Sequence, residues 1–142
     1  MIAYYDTSVM VSLYMRDSSY NAALALSQAS KPALWTPWQR MELNNAVRLY
    51  AFRKIITNTD IATIERIIKT ATEKGDLSPC DIPVDDWWQE AETLSKSHTS
   101  TLGVRTLDLL HVAAARVLNA THFYTFDTRQ LTLAQAAGLR TN

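Results

Sequence analysis

Thr106-Leu107-Asp108-Leu109-Leu110-His111-Val112-Ala113-Ala114-Ala115, followed closely by His122-Phe123-Tyr124-Thr125-Phe126-Asp127, decides the fold of this chain. The first stretch, read as a helix over 106–119, is apolar almost all round and so belongs inside the molecule. The second is a short aromatic run that stops at Asp127-Thr128, the signature of a buried strand. The chain's opening repeats that grammar: Ile2-Ala3-Tyr4-Tyr5 stops at Asp6-Thr7-Ser8, residues that accept bonds from the free N–H groups of a helix start. Outward from these two anchors, helices are expected over 9–15, 20–29, 36–54, 58–74, 84–98 and 130–137, with a brief strand at 33–35. Thr36-Pro37-Trp38-Gln39 offers a cap, a first-turn proline and a capping-box partner. Residues 76–83, with two prolines and Cys80, read as a loop or short edge strand, and 99–105 as a mobile Ser/Thr/Gly loop. Leu139 would begin a small edge strand. Strands separated by helices predict an α/β protein, a parallel sheet of about four to five short strands covered on both faces.

Length and composition bound the function. The 142 residues suit one domain, 1–142, with 47% hydrophobic and 20% charged residues. No apolar run reaches the roughly 18 residues of a membrane span, and no basic leader with an apolar stretch opens the chain, so a cytoplasmic protein is expected. One cysteine excludes an internal disulfide, and with three scattered histidines it argues against zinc. The net charge of zero hides a partition: residues 1–54 carry +3, residues 55–100 carry −5 and residues 101–142 carry +2.

Four acids stand apart from the surface charges. Asp6 and Asp127 end the two strands, and ligands of open parallel sheets bind at the strands' carboxyl ends. Asp108 sits between Leu107 and Leu109, and Glu42 between Met41 and Leu43. A charge in an apolar setting costs several kcal/mol or shifts its pKa. Each acid has a bland reading: Asp6 and Asp127 as helix caps, Asp108 as a dipole partner, Glu42 as a surface acid. If the four converge, they need a cation, and oxygen donors suit Mg²⁺ or Mn²⁺. His111, three residues from Asp108, reads as a hydrogen-bonded core histidine rather than a proton carrier.

The stretches Tyr5-Asp6-Thr7-Ser8, Met41-Glu42-Leu43, Thr106 to Ala115 and Tyr124-Thr125-Phe126-Asp127, with Gly138-Leu139 after a short helix, resemble the PIN-domain family, and most closely its VapC-type toxin branch. The resemblance spans nearly the whole chain in order; residues 55–100 match only in helical pattern. It implies a three-layer α/β/α sandwich and a Mg²⁺- or Mn²⁺-dependent endoribonuclease that hydrolyses structured RNA, tRNA or rRNA, by a metal-activated water. Asp6, Glu42, Asp108 and Asp127 would hold the metal, and Ser8 or Thr7 would hold an acid or a water. It further implies a small antitoxin partner, a homodimer, and DNA contact only through the antitoxin. Arg105 and Arg129, adjacent in sequence to two of the acids, are candidates to hold RNA phosphates, whereas Arg48 to Lys54 read as a solvated helix face. Trp87, Trp88, Tyr14 and Tyr20 are candidates for partner surface or for core. The alternatives are a housekeeping RNA-processing nuclease without antitoxin and a non-catalytic binding module. A phosphotransferase using Asp6 is disfavoured because Ser8 stands where such chemistry commonly has a second Asp.

Overall fold

Strands β1 (Ala3–Tyr5), β2 (Ala33–Trp35), β3 (Leu77–Pro79) and β4 (His122–Tyr124) form a wholly parallel sheet in the order β3-β2-β1-β4. The coordinates, a computed structural model, describe residues 1–142. Ala3 lies opposite both Ala33 and His122, and Trp35 opposite Pro79. A lone bridge from His122 to Arg140 is all that forms of the strand expected near Leu139. Helices α1 (Thr7–Met15) and α2 (Tyr20–Ala29) join β1 to β2, and α3 (Pro37–Phe52) and α4 (Asn58–Glu73) join β2 to β3. Helices α5 (Val84–Leu94), α6 (Ser100–Leu102) and α7 (Thr106–Val117) lead to β4, and α8 (Thr128–Ala136) follows it.

Side chains alternate across a strand, and this sorts the core into two layers. Ala3, Tyr5, Ala33, Trp35 and Leu77 face α1 to α4, where Val9, Met10, Leu43, Val47, Ile64 and Ile68 meet them. Tyr4 and Phe123 point the other way, into α5, α7 and α8. Val112 to Ala115 of α7 are fully buried, and their small side chains let α7 lie close to the sheet. The expected three layers are therefore present.

Two segments left open or misread in sequence are settled by packing and pairing. Residues 99–105 were expected to be a mobile loop, but the chain stays helical through a wide turn at Ser95–Thr99 and α6, until Gly103 ends it at φ +65°. Leu102 and Val104 pack on the α7 core, and that burial outweighs the poor helix propensity of Ser and Thr. Residues 77–79 are an edge strand, and Pro79 is tolerated there because β3 pairs on one side only. No helix is long and apolar enough to cross a membrane.

From β1 the chain moves to β2 and then β3, and β4 is added on β1's other side. Connections diverge at that point, which opens a crevice at the carboxyl ends of β1 and β4. Asp6 and Asp127 both lie there.

Candidate active site

Asp6 is the most constrained acid. Its backbone N–H donates to Tyr124 O at 3.0 Å, tying the end of β1 to β4. Its Oδ1 caps α1 by accepting from Val9 N at 3.0 Å and also accepts from Ser8 Oγ at 2.6 Å. Its Oδ2 accepts from Thr125 Oγ1 at 2.7 Å. Only 4% of the residue is exposed. Burial pushes the carboxyl pKa up, and the donors Ser8, Thr125 and Val9 N–H offset only part of that rise. Asp6 thus caps α1 and also lines the crevice.

Glu42 reaches the crevice from α3, whose start is set by a capping box between Thr36 and Gln39 with Pro37 in the first turn. Gln39, buried, donates from Nε2 to Tyr5 O at 2.7 Å and so docks α3 against the end of β1. Thr7 Oγ1 and His111 Nε2 both bond Glu42 Oε2, leaving Oε1 without a protein donor. Burial pushes this carboxyl up, but the His111 bond and charge and the Thr7 hydroxyl outweigh it and hold the pKa below its ordinary value.

Asp108, in the first turn of α7, accepts from Arg105 Nε at 2.9 Å. Asp127 caps α8, its Oδ1 accepting from the N–H groups of Arg129 and Gln130, each at 2.9 Å. Its Oδ2 lies 3.4 Å from Arg105 Nη2, so one guanidinium spans Asp108 and Asp127. The two acids raise the Arg105 pKa, Asp108 most through its hydrogen bond. Thr125, fully buried, accepts from Asp127 N–H at 3.0 Å while touching Asp6, joining the two strand-end acids.

Asp6, Glu42, Asp108 and Asp127 line one cleft of about 360 Å³ together with Thr7, Ser8, Arg105, His111 and Gln130. In these side-chain positions no three His, Cys, Asp or Glu residues already converge at metal-ligand spacing. Arg105 stands in as the cation between two of the acids, and a carboxylate-and-hydroxyl lining fits a hard divalent ion in its place. Thr7 and Ser8 each steady one acid, Glu42 and Asp6 respectively. Arg129 is exposed and contributes only its backbone N–H to Asp127; its side chain does not line the cleft.

Of the four aromatic candidates for partner surface, Tyr14 is core, Tyr20 lies beneath the Arg16 guanidinium, and Trp87 donates to Leu110 O. Trp88, stacked on Trp87, is 49% exposed. On α3, Arg48 pairs with Glu65 on a solvated face. Sequence reasoning overlooked Thr125, and of Gln39 it read the capping box but not the bond to Tyr5 O. Thr125 follows the last residue of β4 and is flanked by Tyr124 and Phe126, the kind of strand-end position that marked Asp6.

Comparison with known families and structures comes to the same fold. The PIN domain family matches residues 3–137. Comparison with curated proteins gives no match. Among solved structures, VapBC2 from Rickettsia felis, bound to a DNA fragment from its promoter, is 17% identical over 100% of this chain and 98% of that one, at a TM-score of 0.66. VapC20 from Mycobacterium tuberculosis, described as a sarcin-ricin loop cleaving toxin, is 18% identical over 96% and 95%, also at 0.66. VapBC-1 from nontypeable Haemophilus influenzae is 18% identical over 100% and 97%, again at 0.66. At these identities the likeness is one of fold.

Proposed function

The chain belongs to the PIN-domain family, and on that premise we propose that it is a divalent-cation-dependent endoribonuclease, the toxin of a toxin–antitoxin pair, acting on structured RNA such as tRNA or rRNA. The observation that carries this reading is the gathering of four acids from four separate elements into one cleft at the sheet's switch point. Like charges gathered in a half-buried cleft repel unless a proton or a cation offsets them, and this oxygen-rich lining suits a cation. Asp6, Glu42, Asp108 and Asp127 are the residues that would hold Mg²⁺ or Mn²⁺. Such an ion supplies acidification of a water ligand and neutralisation of phosphate charge. Ser8 and Thr125 keep Asp6 oriented, and Thr7 does the same for Glu42. Arg105, 64% exposed at its side chain, is free to exchange its two acids for an RNA phosphate once a cation neutralises them.

The structural neighbours named as toxin–antitoxin assemblies support an antitoxin partner. Exposed Phe52, Ile55 and Trp88 are apolar surface available to that partner or to a second copy in a homodimer. DNA would be reached only through the antitoxin, and the setting is cytoplasmic. The test is cleavage of total cellular RNA by the purified single-domain protein with Mn²⁺ or Mg²⁺, beside EDTA and Asp6→Asn controls. Discrete fragments that vanish in both controls are expected. No cleavage by folded, antitoxin-free protein with any divalent ion overturns the nuclease reading.

A further inference from the structure

We propose that His111, pinned by Tyr4, is a positioning residue for Glu42: its Nε2–H fixes Oε2 and so presents Oε1 to a divalent cation in the cleft. The inference rests on the acidic-site reading above and adds a residue to it. His111 is 3% exposed, one turn beyond Asp108 on α7. A histidine buried for packing alone has no need to aim a nitrogen at a carboxylate, yet Nε2 bonds Glu42. A carboxylate oxygen only accepts, so Nε2 is the protonated nitrogen. Nδ1 and the Tyr4 hydroxyl share a hydrogen bond at 2.9 Å, which pins the ring from its other side. Tyr4 is itself fully buried, stacked on Phe123 at 5.6 Å, and burial keeps its phenol protonated and able to donate. Trp38 packs beside the imidazole with ring centroids 5.6 Å apart. The order Tyr4–His111–Glu42 resembles the way second-layer hydrogen bonds orient the ligands of metal sites, where losing one commonly weakens metal binding about 10–100-fold.

Two measurements test this. In metal-free ¹⁵N-labelled protein, ring-nitrogen NMR of His111 is expected to show a protonated Nε2; an Nε2 without its proton overturns the proposal, whatever the site binds. Mn²⁺ affinity, read by electron paramagnetic resonance, is expected to fall about 10–100-fold in His111→Leu. It should recover in His111→Gln, whose amide nitrogen reaches the Nε2 position, and fall less in Tyr4→Phe. Wild-type protein that binds no Mn²⁺ overturns the acidic-site reading. Mn²⁺ bound equally by wild type and a folded His111→Leu, or no recovery in His111→Gln, overturns this inference alone.

Discussion

Replacing Thr125 with valine removes one hydroxyl and almost no volume, and the structure says what that hydroxyl does. It donates to the buried Asp6 Oδ2 at 2.7 Å, with Gln130 Oε1 at 2.9 Å as a competing acceptor, and it accepts from Asp127 N–H at 3.0 Å. A hydrogen bond to a charged group is worth about 1.5–3 kcal/mol, and a buried N–H left unpaired costs about 1–3 kcal/mol. Since Asp127 is partly open to water, the expected loss for Thr125→Val is roughly 2–4 kcal/mol. With a urea dependence of about 1–3 kcal/mol per molar, the unfolding midpoint should drop by about 1–2 M. The loss should also depend on pH. The folded pKa of Asp6 lies above its ordinary value, so ionising Asp6 opposes folding. That penalty is absent below the unfolded pKa and complete above the folded one. The Thr125 bond limits the penalty, so the valine variant should be worst near neutral pH and recover part of its deficit as pH falls. Combined with Asp6→Asn, Thr125→Val should cost clearly less than the sum of the two separate effects. A deficit under about 1 kcal/mol, one identical at about pH 4 and pH 8, or strict additivity would refute the reasoning.

Asp6→Asn and Asp108→Asn should lower RNA cleavage by about 100-fold or more. Metal-free Asp6→Asn should melt higher than wild type by calorimetry, since asparagine keeps the cap and removes a buried charge; a lower melting temperature contradicts this. The depressed pKa of Glu42 contributes stability that is complete above its unfolded value and lost as pH falls through its folded value. Glu42→Gln should therefore flatten the acid side of the stability profile, and an unchanged profile would show the His111 and Thr7 bonds to be energetically silent. Arg105→Gln should tighten Mn²⁺ binding, measured by titration calorimetry, because the competing guanidinium is gone; weaker binding would mean that Arg105 does not occupy the cation's place. Leu133→Ala, at a fully buried site between α8 and the sheet, should cost about 2–5 kcal/mol in denaturant unfolding.

Much of the fold was legible because its signals are local. The Thr36–Gln39 capping box, the prolines at positions 37 and 79, the all-round apolar character of residues 106–117 and the aromatic run at 122–124 each act through neighbours within a few positions. Residues 99–105 misled for the same reason: Ser and Thr weigh against helix locally, and only packing of Leu102 and Val104 on α7 reverses that. The four acids were visible as charges among apolar residues, but each alone reads equally well as a cap or a surface group.

What the sequence by itself determined is most of the elements, their order and the acids that stand out among apolar neighbours, because hydrogen bonding and steric preference act over a single turn or strand. What only the tertiary structure decided is which acids meet and what holds them. Ala3-Tyr4-Tyr5 is apolar at every position, so nothing local says that Tyr4 faces α7 while Tyr5 faces α1 to α4. Strand order places β4 beside β1 and thereby brings Thr125 to Asp6 across 119 residues. His111 meets Tyr4 across 107 residues and Glu42 across 69. A histidine in an apolar helix looks the same in sequence whether its nitrogens end against a backbone carbonyl or a carboxylate. Its partner is chosen by the closing of the sheet, where burying two apolar faces forces these distant polar groups to satisfy one another.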